Sequence, residues 1–404
     1  LIETVNLSAG YGGRPVVAGV NISVRGGEFV AVIGPNAAGK TTLLKTLARL
    51  MKPLGGVVYV DGAAAARMSA REIARLVGAV LTEQLRPTQL TVFEAVSLGR
   101  YPYTNSLHTL TDRDRREVWR ALADAGIEHL ADRRLSELSD GQRQKVMIAR
   151  ALAQEPKVLI LDEPVTYLDP KARVEILLTI KRVAREREIA VIASLHEVEL
   201  ALRMADRLLI VSGGRVVLYD SPEEFVALGG PMHLYGLDGQ LTFSPELMSV
   251  EFRPGAEDKP RLFVVAGGGS GALVYRMLAR LGYQFSTGVL HKGDIDYCVA
   301  ALLGGVIIAE QAFQPISPEN VHRALEEARD CAAAIYTSPP IGPLNSENQI
   351  LAETIALQGI PLIVLGPAEV KGAAIRVESL AELSKSIEMV LENVRAVEPA
   401  PARR

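Results

Sequence analysis

The sequence predicts two consecutive α/β domains, the first with a P-loop and an inserted helical subdomain, the second Rossmann-like. Three observations lead there. The stretch FVAVIGPNAAGKTT, residues 29–42, runs from a strand-sized apolar segment through a small-residue loop into a helical pattern. A second apolar strand, in KVLILDEP at 157–164, ends in two adjacent carboxylates. Beyond residue 260, five short apolar runs alternate with helical patterns, the rhythm of a doubly wound parallel sheet. At 404 residues the chain exceeds one ordinary core. The expected division is a domain over 1–235 with its helical subdomain at about 84–150, a connection over 236–260, and a domain over 261–395.

Residues 1–28 alternate apolar and polar side chains between turns at Gly10–Gly13 and Arg25–Gly27, which predicts short antiparallel strands. Tyr11 stands in the first turn, where an aromatic ring can stack on a base. Phe29 to Ile33 reads as a buried strand. Gly34, Gly39, Lys40 and Thr41 then satisfy G-x-x-x-x-G-K-[ST]. Small residues let successive backbone N–H groups turn inward on phosphate oxygens, and a helix N-terminus favours the same charge. Lys40 can reach the β and γ phosphates, and the Thr41 hydroxyl can ligate Mg²⁺. The helix beginning there is expected to bury Leu43, Leu44, Leu47 and Leu50.

Residues 57–60 and Val77 to Leu81 are further strands. Most of 91–137 reads as helical, with Val118, Trp119, Leu122 and Ala125 expected on one face of Asp112–Gly126. LGRYPY, residues 98–103, interrupts it; such a turn either ends a helix or presents a contact site. In LSDGQRQ, residues 138–144, Ser139 and Gly141 precede a helix whose N-terminus offers N–H groups to an anion. Asp162 emerges from its strand where it can hold a magnesium shell, and Glu163 where it can polarise an attacking water. Leu168, Asp169 and Pro170 form a turn. IAVIASLH, residues 189–196, is another buried strand, and its His196 falls at the same C-terminal sheet edge as Asp162 and Glu163. A hairpin over 207–220 turns at Ser212–Gly214.

In this order the residues resemble the ATP-binding subunit of an ABC transporter, from residue 1 to about 235. Gly34, Pro35, Asn36, Ala37, Ala38, Gly39, Lys40, Thr41 and Thr42 match its P-loop, Leu138 to Gln142 its signature, and Ile160 to Glu163 its magnesium and base segment. Leu168 and Asp169 match the D-loop, His196 the switch histidine and Tyr11 the adenine-stacking aromatic. TVFEAVSLGRYPY followed by the signature is similar to importers of iron–siderophore, haem or cobalamin. The resemblance implies ATP and Mg²⁺ as cofactors and a head-to-tail pair of copies. Each ATP would lie between one P-loop and Ser139, Gly141 and Gln142 of the other copy, with Glu163 activating water and His196 steadying the γ-phosphate. It also implies membrane permease subunits docking near Thr82 to Tyr103, supplied by a substrate-binding protein. Soluble ABC proteins of DNA repair or translation usually add a coiled coil or a second cassette, and this chain shows neither.

Three positions depart from the family pattern. The signature reads LSDGQ rather than LSGGQ, placing the charge of Asp140 near a phosphate site. Ala37 stands where glycine is common, which matters if the backbone needs positive φ. The family's magnesium-binding glutamine after the strand Val77 to Leu81 falls on Glu83 or, with a one-residue shift, on Gln84.

In the second domain Gly267 to Gly271 directly follows the first strand, where Rossmann-like folds bind phosphate or another small ligand. No lysine follows, so a second ATPase site is not expected. Asp294, Asp296, Glu310 and Asn345 fall near strand ends and either line that crevice or cap helices. The domain's roles in prospect are regulation by a ligand, dimerisation, or processing of the imported molecule.

A net charge of −3 gives no argument for nucleic acid. No apolar run suits a membrane span, and no basic-then-apolar start marks a secretion signal. Cys298 and Cys331 lack metal-ligand spacing and read as buried thiols of a reducing compartment. The expected place is the cytoplasmic face of the cell membrane, held peripherally through a partner.

Overall fold

The computed structural model describes residues 1–81, 89–104, 109–236, 241–252 and 259–397. The chain divides into two compact units, Leu1–Gly236 and Leu237–Arg404.

Among the described residues the first unit holds two sheets. The antiparallel one runs Arg14–Val20, Ile2–Tyr11, Gly55–Val60, Ala63–Ala64, with Ser23–Val24 paired beside Ile2–Tyr11. The other runs Arg215–Tyr219, Arg207–Ser212, Phe29–Ile33, Ala190–Ser194, Val158–Asp162, Val77–Val80, and is parallel except at its first pair. Its three central strands are buried throughout, because both faces are covered and both edges paired; hence their unbroken apolar runs. They end together at Ile33, Asp162 and Ser194, which sets the P-loop, the acid pair and His196 along one edge.

The P-loop helix, Lys40–Leu47, buries Leu43, Leu44 and Leu47 as expected. Leu50 is 61% exposed instead. The helix stops at Leu47 and Arg49 turns left-handed at φ 59°, so helical spacing no longer applies to residue 50. In Asp112–Ala125 the buried face is Val118, Ala121, Leu122 and Ala125. Trp119 lies about 100° round the helix from Val118. It is 47% exposed and rests on Phe93, ring centroids 5.4 Å apart.

The LGRYPY segment is a clamp. Arg100 is buried; its Nε donates to Asp114 Oδ1 at 3.0 Å and its Nη1 to Ala153 O at 2.7 Å and Glu155 Oε2 at 2.8 Å. Its guanidinium lies 4.0 Å from the Tyr103 ring centroid, and that of Arg75 5.0 Å. Arg71 and Arg75, from the helix Ala70–Leu76, both donate to Pro102 O. Tyr101 alone of the segment's aromatics stays largely exposed, at 60%. Burial raises the Asp114 carboxyl, but hydrogen bonds from Thr111 and Arg100 outweigh it and the net shift is downward.

The second unit opens with a hairpin, Leu241–Ser244 and Ser249–Phe252, where the sequence suggested only a connection. Its four-residue strands are too short to show a period. An all-parallel sheet follows in the order Val306–Glu310, Phe285–His291, Leu262–Val265, Ala333–Tyr336, Leu362–Leu365, Ile375–Val377. In chain order this is 3-2-1-4-5-6, the Rossmann order. Its sixth strand, three residues long, escaped the sequence count of five. Val264, Ile335 and Ile363 pack on one face with Tyr275 and Leu278; Phe263, Val265 and Tyr336 pack on the other with Leu351 and Ile355. Cys298 is half-buried and Cys331 buried, both free, and burial pushes the Cys331 thiol up to about 11.

Glu310 accepts from the amides of Ser317 and Gln311 and from Asn320 Nδ2 at 2.9–3.0 Å, and so serves the start of the helix Pro318–Arg329. These donors hold its pKa at about 2, below the ordinary 4.5. A depressed carboxyl stabilises above its unfolded pKa, and that contribution fades as pH falls from about 4.5 toward 2. Glu310→Gln is expected to flatten the acid limb of the full chain's unfolding midpoint over that window, as followed by circular dichroism.

Candidate nucleotide site

Gly34 ends the strand Phe29–Ile33 with its Cα pressed on the neighbouring strand; a Cβ would meet Val211 O at 2.1 Å. Gly39 precedes the P-loop helix at φ 105°, and a Cβ there would meet Val16 Cγ1 at 2.7 Å. Between them Asn36 and Ala37 face solvent, and Ala38 N donates to Pro35 O at 3.3 Å. Ala37 sits left-handed at φ 61°, so this departure from glycine is strained. Ala37→Gly is expected to stabilise the chain by about 0.5–1 kcal/mol, the relief of strain exceeding the added unfolded-state entropy. A higher urea midpoint at unchanged slope would show it.

Lys40 Nζ donates to Gly34 O at 2.7 Å and Pro35 O at 3.0 Å. Burial lowers its pKa, while Glu163 and Asp162 pull it back up. Thr42 Oγ1 lies 3.4 Å from Tyr11 OH, which brings the exposed Tyr11 ring from the other sheet to the P-loop helix.

Asp162 and Glu163 are oriented by one residue that sequence reasoning missed. Ser194 Oγ donates to Asp162 Oδ1 at 2.7 Å and accepts from Glu163 N at 2.8 Å. The signal was the strand register, in which Ser194 stands opposite Asp162, two residues before His196. Glu163 takes a left-handed φ of 55°; its Oε1 lies 2.5 Å from His196 Nε2, and its Oε2 accepts from Thr166 Oγ1 at 3.3 Å. A buried ammonium facing two carboxylates, beside a helix N-terminus and the Thr41 hydroxyl, fits a triphosphate with Mg²⁺: the ammonium suits phosphate, and the hydroxyl and carboxylate are the hard oxygen donors that ion takes. Glu83 and Gln84 lie outside the described residues.

Ser139, Gly141 and Gln142 stand elsewhere, at the start of the helix Asp140–Leu152. Ser139 Oγ accepts from Gln142 N at 3.3 Å and Gln142 Oε1 from Ser139 N at 3.1 Å, a reciprocal cap. Asp140 pairs with Arg143, which also donates to Leu138 O, so the extra charge of this signature has its own counter-ion. A Cβ on Gly141 would meet only Ala172 Cβ, at an ordinary 3.6 Å. Asp169 caps the helix Pro170–Glu186, accepting from Ala172 N at 2.9 Å. A cleft of about 630 Å³ opens beside the later part of the helix Asp140–Leu152, lined by Arg49, Leu50, Ile73, Ala79, Met147 and Arg150 among others.

In the second unit the structure gathers Gly267–Gly271, Asp294 and Asp296. Gly268 N donates to Asp294 Oδ2 at 2.8 Å, and Gly269 N and Gly271 N donate to Asp296 at 3.1 Å. The amides a phosphate would use are spent on the protein's own carboxylates, so the expected anion cradle is filled from within. Burial pushes the Asp296 carboxyl up, against the pull of those amides. Asp294 also caps the helix Ile295–Leu302. Asn345 joins the rim, its Nδ2 3.8 Å from where a Gly267 Cβ would sit, and Glu310 is taken up by its helix cap.

A family model described as ABC transporter matches residues 17–166, and one described as the MJ0874 family matches 285–397. Over 290 residues the chain is 40% identical to an uncharacterized ABC transporter ATP-binding protein of Methanocaldococcus jannaschii, covering 72% of this chain and 100% of that one. Over 351 residues it is 32% identical to the cobalamin import ATP-binding protein of Halobacterium salinarum, covering 84% and 86%. Over 231 residues it is 37% identical to the ferric enterobactin transport ATP-binding protein of Escherichia coli, covering 57% and 85%. A solved subunit of a Clostridium perfringens ABC transporter complex superposes with a TM-score of 0.51 at 29% identity, covering 61% and 96%. With the P-loop, the acid pair and His196 on one sheet edge and Ser139 capping the helix Asp140–Leu152, the chain belongs to the ATP-binding proteins of ABC transporters, ATPases coupled to transport.

Proposed function

We propose that this ATPase powers import of a metal chelate (iron–siderophore, haem or cobalamin) through membrane permease subunits, held peripherally at the cytoplasmic face of the membrane and served by a substrate-binding protein. The observation that supports it best is the reach of the cobalamin import relative. Its 351 aligned residues exceed the 236 of the first unit, so the likeness extends beyond the cassette.

Two copies would pair head to tail. Gly141 supports this: among the described residues none demands glycine there, which suits a molecule approaching from outside. Lys40 would grip the β and γ phosphates, Tyr11 the adenine, and Thr41, Asp162 and either Glu83 or Gln84 would hold Mg²⁺, which neutralises phosphate charge when bound. Glu163 would take a proton from the attacking water, and His196, now on Glu163 Oε1, would steady the γ-phosphate. Permease helices would dock in the cleft beside Leu50, with Tyr101 an exposed aromatic for that contact. No described helix is long and apolar enough to cross a membrane. The second unit would regulate transport, a small ligand entering beside Asp294 and Asn345 rather than on the loop amides.

Deleting the gene is expected to abolish uptake of labelled cobalamin or of a labelled ferric siderophore, restored by the intact chain but not by a Lys40→Ala variant. Unchanged uptake of both, together with detergent extracts in which no polytopic protein copurifies, would sink the import reading.

A further inference from the structure

We propose that Arg173 is a positioning residue for hydrolysis, tying the D-loop to the turn that carries the switch histidine. The inference rests on the reading of Glu163 and His196 just given. Arg173 lies in the helix Pro170–Glu186, shortly after the D-loop. Its Nε donates to Leu168 O at 2.6 Å, and its Nη1 pairs with Glu197 Oε1. Glu197 directly follows His196 and precedes the helix Val198–Met204.

These contacts close a ring. Glu163 Oε1 meets His196 Nε2; Glu163 Oε2 accepts from Thr166; the chain runs on to Leu168, whose carbonyl is held by Arg173; and Arg173 returns to Glu197, next to His196. Both acid–base groups therefore sit in one loop of contacts, and Arg173 is the member that spans it. Its planar guanidinium offers donors in two directions at once. A lysine ammonium has one point of charge on a flexible stem and cannot reproduce that fork. Arg173 keeps 28% of its side chain exposed and Glu197 48%, so neither change removes a buried core group. Hydrolysis depends steeply on where the base and histidine stand, whereas nucleotide binding draws on the P-loop and Tyr11.

The test uses the purified full-length protein with Arg173→Ala, Arg173→Lys, Glu197→Gln and the double variant Arg173→Ala/Glu197→Gln, measuring kcat, KM for ATP, affinity for a fluorescent ATP analogue, and Tm. Each single change is expected to lower kcat by at least about tenfold, with nucleotide affinity within about twofold of wild type. Tm should stay within about 2 °C, as for other changes at exposed polar sites. The double variant should be no slower than Arg173→Ala, because the Glu197 contact is already lost with Arg173. Unchanged kcat in Arg173→Ala would overturn the proposal. So would a kcat loss matched by losses of affinity and Tm, or multiplicative effects in the double variant. Glu163→Gln and His196→Ala run in the same assay separate the two levels. If they turn over normally, the reading of the base and histidine fails, whatever Arg173 does. If they are dead and Arg173→Ala is normal, only the link fails.

Discussion

Glu163→Gln is expected to cut steady-state ATP turnover by at least about a hundredfold while leaving ATP bound, the loss typical of removing a general base. The structure makes this change clean. Glu163 is placed by its backbone, through the left-handed turn at φ 55° and the hydrogen bond its amide donates to Ser194 Oγ, and neither depends on the carboxylate. A glutamine of the same shape keeps the contact with Thr166 and loses the proton acceptor. Phosphate release measures the first half of the expectation. The second half is read from nucleotide retention on gel filtration, where a stable ATP-bound pair of copies should accumulate. Persistent turnover would remove Glu163 from its assigned role.

The largest stability effect is expected at Arg100. Arg100→Ala should destabilise the first unit by about 3–5 kcal/mol, the cost of breaking a buried ion pair from one side. The reason is what stays behind. Asp114 is buried and, among the described residues, keeps its Thr111 partners; Ala153 O loses a donor; and the Tyr103 ring loses one of its two guanidiniums. Tyr101→Ala, one residue on, removes an exposed ring and should shift stability by no more than about 0.5 kcal/mol. Urea unfolding of both variants decides between them, and equal midpoints would show that Arg100 does not hold the clamp.

That contrast shows how far a sequence can be read. LGRYPY stood out as an aromatic and proline turn, either a helix end or a contact site; the structure shows the helix end and leaves one ring, Tyr101, exposed. Arg100 and Tyr103 end the helix and lock the subdomain, while Tyr101 faces outward. Which residue does which depends on Asp114, Glu155 and Ala153, up to 55 positions away, and local spacing carries no such information. The P-loop, the acid pair and His196 were legible because each is a short motif at a strand end, and the parallel sheet aligns those ends by construction. Ser194 was not, since a serine in an apolar strand has no signature until the register sets it opposite Asp162. Leu50 and Trp119 failed for a simpler reason: periodicity holds only while the helix continues and only on the buried side.

The filled glycine loop of the second unit bears on how such units diverge. A glycine-rich turn after a first strand specifies a shape, but whether that shape is vacant is decided 25 to 27 residues downstream, by the carboxylates of Asp294 and Asp296. The unit thereby keeps the Rossmann chain path while carrying its own acceptors for the loop amides. Exchanging both aspartates for alanine would free those three amides without touching a single glycine. Whether such a loop has free amides thus depends on the start of the second helix, a position that a survey of glycine patterns never inspects.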